Sequence, residues 1–578
     1  MHSAGANGLF LDAEVMASAA KGLGSGLPAG ETPYLLSPLY PYFMAPFLGT
    51  FQLLGLRLLQ AFLGALTALL VARMASRLAG SRAGWIAGLL AALHGPSIYY
   101  EGEVLVAGPQ ALFVVWAFYL ALGAEGSSQP ARCWFGSGWV LGLASALRPT
   151  TLPLALILLI QGRRRGGAPA IRRFLAGMAI AILPFTASNL FTSGEPVLLT
   201  ASGGFNFWVG NHHGASGLFD APQGYDLATD PVALQLARDQ SGQTLDYQGA
   251  SAWWRDRALS DMAKEPWKVC LRLGRKAFFF MHPVEIPQLG PGFAIARDSS
   301  AWIRWPLDSR WLLLLALCAP LVSRRSLPLW SGVLTYAAVL VAFFVVGRYR
   351  APILPLAATL AGITLEGIWS SLAAGRVRGR AVAGVLLALG GVSLLAQEQW
   401  LQVNARGGAD MQARRSGLQL VKAGRGQEAV DLLRAALTEQ DNLSTRTALG
   451  MALASTGQAA AAADEYRRVL ERDSARPEAA FQLASLLVGP LAGDNDTQRL
   501  ATTREAEALF RSALIVRPNW AEAHFNLGVT LLRQLRFGEA LGSVDKALGL
   551  ADPNAPWRSE ARRVQEIARA RMGNTGNE

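Results

Sequence analysis

Two acidic residues, Asp12 and Glu14, stand one residue apart in the first polar stretch, and three arginines, Arg148, Arg348 and Arg350, interrupt apolar runs far downstream. A carboxylate can take a proton from a hydroxyl, and guanidiniums can hold a departing phosphate in a bidentate fork. Together they suit transfer of a group away from a phosphate. Asp12 and Glu14 read equally well as a helix N-cap and a first-turn acid that favours the helix dipole. Arg348-Tyr349-Arg350 leads into Ala351-Pro352-Ile353-Leu354-Pro355, and charges set so deep in apolar sequence mark a functional partner such as a phosphate unless they snorkel to the headgroups. Arg148, just before Pro149 and between two half-length apolar runs, makes the same case.

Further candidates for binding a substrate are Glu101 and Glu103, which follow Tyr99-Tyr100, and Asn211 in the segment Gly210-Asn211-His212-His213-Gly214, with Asp220 nearby. The adjacent histidines lack a third ligand at a defensible spacing, so no metal site is assigned and a hydrogen-bonded loop is the plainer reading. Residues Pro266 to Met281 mix Lys268, Arg272, Arg275 and Lys276 with Trp267, Val269, Leu273 and Phe278 to Phe280. Such a basic amphipathic stretch is expected to lie along a headgroup plane, with Lys276 available to an anionic donor. Cys133, Cys270 and Cys318 are far apart and have neither redox nor metal-ligand spacing.

The elements that must position these residues are mostly apolar helices. About half of the 578 residues are hydrophobic, and the formal net charge is +12. The basic residues sit in short clusters between apolar runs, which is the pattern of membrane topology rather than of a nucleic-acid stripe, so no nucleic acid is expected as a partner. Runs approaching the ~20 residues that cross ~30 Å of hydrocarbon begin at Leu56, Trp85, Val104, Phe135, Leu152, Phe174, Trp311, Leu327, Ile353 and Val382. Counting the runs on either side of Arg148-Pro149 as two spans puts Arg73, Arg77, Arg82, Arg132, Arg163 to Arg165, Arg172, Arg173, Arg324, Arg325, Arg376, Arg378 and Arg380 on one side. By the positive-inside rule that side is cytoplasmic. The chain then reads as a multi-pass protein of the bacterial inner membrane, its candidate chemistry and C-terminal domain on the periplasmic side. Met1 would start outside with no preceding span or signal peptide, so an upstream transmembrane helix is expected beyond this reading frame.

A repeat fills the C-terminal part. Aligning Ala429, Ala462, Ala506 and Ala540 brings a larger apolar residue four positions later (Leu433, Tyr466, Phe510, Val544) and a small or β-branched one seven later (Ala436, Val469, Ala513, Ala547). Leu449-Gly450 and Leu527-Gly528 take matching places in the preceding helices. The pattern resembles the tetratricopeptide repeat, a stack of helix pairs that presents a protein-binding groove. The predicted fold class is therefore all-α, a polytopic helical membrane domain followed by a soluble α-solenoid. The expected divisions are a first extracytoplasmic loop at 1–55, a membrane domain at 56–395 with a large outer loop at 192–310, a linker at 396–411, the repeats at 412–572 and a tail at 573–578.

Over roughly residues 8 to 395 the chain resembles the bacterial type C glycosyltransferases of glycosyltransferase family 39, the superfamily of the dolichyl-phosphate-mannose protein mannosyltransferases and aminoarabinose transferases. The matching pieces, in order, are the first outer loop with Asp12, Ser37 to Pro41, Tyr99 to Glu103, Leu147-Arg148-Pro149, the Gly210-Asn211 loop with Gly217 and Asp220, and Arg348 to Pro355. The chain departs from the family pattern at Ala13, which separates Asp12 from Glu14, and at Val15-Met16, where a tyrosine often stands. The choice between Asp12 and Glu14 as the base stays open. The resemblance implies a polyprenyl-phosphate-linked sugar as donor, a protein, lipid or glycan acceptor outside the cytoplasm, and inversion at the anomeric centre. Asp12 would be the base, with Arg148, Arg348 and Arg350 on the phosphate. No cofactor is required; a divalent cation is the one candidate, since some such enzymes are helped by one. Two other readings are a membrane-anchored scaffold that displays the repeats to an envelope assembly and a lipid-linked oligosaccharide ligase of the O-antigen type. Ten spans exceed what an anchor needs, and the acidic first loop favours monosaccharide transfer.

Overall fold

The computed structural model divides into two compact units, Met1–Gln399 and Trp400–Glu578. It describes residues 16–17, 19–20, 32–47, 52–219, 230, 232–282, 285, 303, 308–375, 381–382, 384–386 and 390 of the first unit, and most of 413–574 in the second. Asp12, Glu14 and Asp220 lie outside the described residues, as does most of the apolar run from Val382 to Leu395. Among the described residues all regular structure is helical.

In the membrane unit the helices are α1 (Tyr40–Met44), α2 (Gln52–Ala79), α3 (Ser81–Ala92), α4 (Gly95–Gly102), α5 (Ala107–Gly123), α6 (Pro130–Leu147) and α7 (Leu154–Ser193). There follow α8 (Gly203–Asn211), α9 (Leu234–Ser241), α10 (Tyr247–Lys264), α11 (Pro266–Met281), α12 (Ser309–Val322), α13 (Leu327–Ala342), α14 (Gly347–Arg350) and α15 (Leu354–Ala373). Among the described residues four stretches are long and apolar enough to cross a bilayer, Leu53–Ala79, Pro149–Ser193, Arg324–Ala342 and Gly347–Ala373, or five if α4 and α5, bent by 118° at their junction, count as one span. Ten spans were expected from the apolar runs. Of these, the run from Val382 lies mostly outside the described residues, the runs from Leu152 and Phe174 share the stretch Pro149–Ser193, and the runs from Trp85 and Trp311 form helices of 12 and 14 residues, shorter than a bilayer is thick.

The 40-residue α7 is not one rod. Gly167 holds φ 63°, ψ −155°, a conformation outside the helical region that glycine adopts without a Cβ clash. Trp134, near the start of α6, lies beside Gly162 and Gly166, whereas Gly138 packs on Phe174 and Gly142 on Met178 and Ala181. So α6 runs antiparallel to the first half of α7 and parallel to the second, and the chain reverses at the arginine-rich turn between them. Glycines set these close crossings, because a Cβ on Gly138 would come within 1.9 Å of the Phe174 carbonyl oxygen.

The same turn gathers the basic helix ends. Arg165 pairs with Glu125 at 3.3 Å, just past α5. Arg77, at the end of α2, lies 4.2 Å over the ring of Tyr119 in α5. Gly84 packs on Ser76, Gly362 on Ala83 and Gly367 on Val322, which brings the start of α3 and the ends of α12 and α15 to that end as well. Arg148 and the Gly347–Arg350 turn belong to the other.

The second unit stacks helices in antiparallel pairs: α16 (Gly426–Glu439), α17 (Leu443–Ser455), α18 (Ala459–Arg472), α19 (Pro477–Val488), α20 (Asp496–Val516), α21 (Ala521–Arg533), α22 (Phe537–Leu550) and α23 (Arg558–Asn574). Most residues aligned by the repeat form its core: Ala429, Leu433, Ala462, Tyr466, Val469, Ala506, Phe510, Ala513, Ala540, Val544 and Ala547 are all fully buried, whereas Ala436 is only half-buried. Gly450 faces the ring of Tyr466 and Gly528 faces Val544, so the small residue of one helix admits the large residue of the next. This unit is a tetratricopeptide-like solenoid.

Candidate functional site

Broken helices build the end of the membrane unit away from the basic cluster. His94 caps α4 by accepting from the backbone N–H of Ser97, and Pro96 occupies the first turn where no backbone donor is needed. The chain then bends through residues 103–106 into α5. Gln60, buried on α2, donates to the carbonyls of Glu103 at 2.7 Å and Glu101 at 3.2 Å and accepts from the Tyr40 hydroxyl at 2.7 Å. The Glu101 side chain turns onto α2, where its carboxylate occupies the space that a side chain on Gly64 would need. With Thr67, His94 and Ser97 it lines a cavity of about 10 Å³, room for one water. In front of this turn Ser37 Oγ and the Leu39 N–H both bond the Ala146 carbonyl, at 3.4 and 3.3 Å. The Ser37 to Tyr40 segment is thereby held between Gln60 and the end of α6.

Arg148 and Arg348, 200 positions apart in the sequence, meet on one ring. Their guanidinium carbons lie 4.0 and 5.4 Å from the ring centroid of Tyr349. Tyr349 is fixed by its own carbonyl, which accepts from the buried Tyr336 hydroxyl at 2.9 Å. Two cations around one aromatic ring repel each other, and an anion beside them would relieve that repulsion.

Arg350 points elsewhere. Its side chain is 1% exposed, its Nη1 donates to the Phe280 and His282 carbonyls at 2.9 and 2.6 Å, and its Nη2 pairs with Glu285 Oε1 at 2.5 Å. Glu285 also accepts from the Tyr100 hydroxyl at 3.2 Å and Ser309 Oγ at 2.8 Å, and Ser309 lies 3.3 Å from His94 Nε2. Glu285 was not singled out in the sequence. Nothing local marks it, since its partner sits 65 positions later. Gly347 is needed here, because a Cβ would come within 2.3 Å of both Glu285 and Tyr100.

Asn211 and Lys276 come together as a third node. Lys276 Nζ donates to Asn211 Oδ1 at 2.9 Å and to the Phe343 carbonyl at 2.6 Å, while Asn211 Nδ2 donates to the Phe207 and Ala342 carbonyls. Arg272 bonds the Asn211 carbonyl at 2.6 Å. The node holds the end of α13, where the chain turns toward Tyr349, and it lies in the segment between the spanning helices. Burial, reinforced by Arg272 and Arg275, pushes the Lys276 ammonium down to about 7. On the outer side of α11 a stripe of Trp267, Leu271 and Phe278, 72%, 57% and 39% exposed, is flanked by Lys268 and Arg275. The helix buries Arg272 and Lys276 beside Phe279 and Phe280, while Trp267 and Leu271 stay exposed. His213 pairs with Glu265 at 3.1 Å, and among the described residues no group of three or more His, Cys, Asp or Glu could hold a metal.

The helix breaks, the arginine pair and the Gln60 turn fall within or against one stretch of sequence with known relatives. Residues 33–189 match the family of dolichyl-phosphate-mannose-protein mannosyltransferases. The matched stretch includes Ser37 to Tyr40, Gln60, Glu101, Glu103 and Arg148; Asn211, Lys276 and Arg348 to Arg350 lie beyond it. The match is to a family of membrane glycosyltransferases and is confined to this first part of the membrane unit. No curated protein matches the chain. Among solved structures, MamA from AMB-1 is 25% identical, with 28% of this chain and 82% of that one covered and a TM-score of 0.24. YrrB, described as a TPR protein with an unusual peptide-binding site, is 22% identical over 32% of this chain and 89% of that one, with a TM-score of 0.23. MamA from Desulfovibrio magneticus RS-1 is 16% identical over 29% and 94%, with a TM-score of 0.22.

Proposed function

We propose that the protein transfers a sugar from a polyprenyl-phosphate carrier to an acceptor hydroxyl on the extracytoplasmic face of the bacterial inner membrane, with inversion. The observation that carries this reading is the pair Arg148 and Arg348 on the Tyr349 ring, in a unit whose first part matches the mannosyltransferase family. A phosphate-linked sugar already has a good leaving group, so the reaction needs a base and phosphate-holding cations and no general acid. Asp12, with Glu14 as the alternative, takes the acceptor proton. The acceptor oxygen bonds the anomeric carbon as the bond from that carbon to the phosphate oxygen breaks, and the phosphate keeps the electron pair.

Arg148 and Arg348 receive that charge. Arg350 acts through Glu285, tying residues 280 to 285 to the turn that presents Arg348. Lys276 and Asn211 set the approach of the chain at Phe343, and Glu101 and Glu103 border the substrate space. The exposed stripe of α11 lies in the headgroup layer, where lipid carriers reach the site. The repeat unit recruits a protein partner or the acceptor and supplies no reacting group.

Turnover of synthetic polyprenyl-phosphate sugars by purified full-length protein tests the reading. Asp12→Asn should lower kcat by about 10²–10⁴-fold, the usual loss for a general base, with donor binding kept. Arg148→Ala and Arg348→Ala should weaken donor use, and lysine should rescue each only in part, because an ammonium keeps the charge and loses the fork. Stably folded Arg148→Ala and Arg348→Ala proteins that bind donor with unchanged affinity would remove the phosphate site. An Asp12→Asn enzyme within about threefold of the wild type would remove the base.

A further inference from the structure

Among the described residues three glutamines are buried on apolar helices of the membrane unit, and two of them, unlike Gln161, reach across to other elements. Gln60 on α2 and Gln110 on α5 are 1% and 0% exposed. A primary amide in a hydrocarbon-like interior is costly unless it is bonded, and backbone carbonyls freed by a break in a membrane helix carry the same cost. Each of these two meets one such break. Gln60 Nε2 supplies Glu101 and Glu103, whose carbonyls lose helical donors where α4 bends into α5. Gln110 Nε2 donates to the Arg148 carbonyl at 3.2 Å, with Ala144 O at 3.5 Å, where Pro149 and Pro153 interrupt the run from α6 to α7.

The two braces are linked. Gln60 also accepts from Tyr40, the Ser37 to Tyr40 segment bonds Ala146, and Ala146 precedes Arg148 by two residues. Hydrogen bonds therefore run from the Glu101–Glu103 turn through Gln60, Tyr40 and Ser37 to Ala146, two residues along the backbone from the Arg148 carbonyl, which Gln110 bonds together with Thr151. An isolated buried amide would satisfy itself on its own helix; these two reach across to other elements, and both land on turns that carry candidate substrate groups.

We propose that Gln60 and Gln110 are positioning residues that fix the acidic turn at Glu101–Glu103 and the Arg148 turn relative to each other. The kinetic part of the test rests on the glycosyl-transfer reading, whereas the labelling part does not. Methionine in place of either glutamine keeps its length and removes both amide functions.

In purified full-length protein with Cys133, Cys270 and Cys318 replaced by alanine, a cysteine is placed by Gly108→Cys, at a buried position where an added Cβ comes no nearer than 3.4 Å to the Glu101 side chain and where the thiol labels only when the turn opens. Gln60→Met should raise the rate of maleimide labelling there by about tenfold, the factor that one lost buried hydrogen bond produces in a turn-opening equilibrium. Tyr40→Phe, which deletes only the hydroxyl, should give a smaller rise and serves if Gln60→Met does not fold. In turnover, Gln110→Met should raise the donor KM, because Arg148 is displaced, while a purely structural loss would reduce the active fraction and leave KM unchanged.

Labelling within about twofold of the parent in Gln60→Met overturns the brace. Raised labelling with unchanged kcat and KM in both methionine variants overturns the positioning role. If the labelling result holds and Arg148→Ala keeps full donor affinity, the phosphate assignment fails and the brace stands.

Discussion

In the membrane unit Arg350, Lys276, Gln60 and Gln110 lie inside the protein and bond backbone carbonyls, whereas in the repeat unit most charged side chains stay near the surface and pair with one another. Arg467 with Glu505, both 46% exposed, and Arg472 with Asp441 are of the second kind. The interior of the repeats is instead filled by alanine, leucine and single aromatic rings. A solenoid closes its helices on one another and leaves few carbonyls to satisfy. The membrane unit breaks its helices at one end, and each break requires donors from other elements because lipid offers none. Buried polar groups there trace where the backbone departs from a helix, and those departures coincide with the candidate site.

Removing Glu285 should break the contrast most severely. Glu285→Ala leaves the Arg350 guanidinium buried without its carboxylate and should lower unfolding stability by about 3–5 kcal/mol. Chemical denaturation in detergent measures it, and a loss below about 1 kcal/mol would show that the pair does not hold residues 280 to 285. In the repeat unit the largest sensitivity should lie in packing. Gly450→Ala drives a methyl to 2.5 Å from the Tyr466 ring, and overpacking of this kind costs about 1–3 kcal/mol. Adding Tyr466→Leu should recover part of the loss; no recovery would mean that the crossing at Gly450 is not what limits stability.

Lys276 gives a pH-dependent version of the comparison. Burial lowers its folded pKa to about 7, from the ordinary 10.5 of a lysine. Between those values the unfolded chain binds the proton and the folded one does not, so unfolding stability should rise as pH increases from about 7 to 10.5. Below 7 both states are protonated and the penalty of the buried charge is constant. Lys276→Met should abolish this slope relative to wild type, and an equal slope in both proteins would contradict the burial of a neutral amine. The smallest effect should come from the surface: Arg467→Ala should change stability by less than about 0.5 kcal/mol, as for exposed ion pairs in general. A larger loss would mean that the solenoid depends on its outer charges.

Much of the architecture was legible because it is local. The Ala429, Ala462, Ala506 and Ala540 register identified the core of each repeat, since a helical stack needs a small residue at every close crossing. The arginines from Arg163 to Arg173 marked the reversal that Gly167 makes. The number of full-length spans was not legible, because hydropathy does not report where an apolar run leaves helical geometry. At the site, pairing Arg348 with Arg148 and Asn211 with Lys276 could be anticipated only as membership of one face, without contacts. Glu285, Gln60 and Gln110 left no signal at all: a single glutamine in an apolar run and a glutamate in a polar loop look ordinary until their partners are known.

The sequence by itself determined an all-helical chain with apolar spans, one basic end and a C-terminal repeat, because helix period, span length and charge clustering are properties of neighbouring residues. Only the tertiary structure decided which cation stands on the Tyr349 ring and which is locked into a buried ion pair. Arg348 and Arg350 are two positions apart and chemically identical, yet one lies on the Tyr349 ring beside Arg148 and the other is locked to Glu285 and two carbonyls. Their roles diverge because successive side chains on one turn of helix point in different directions, and what waits in each direction comes from segments 65 to 200 residues away.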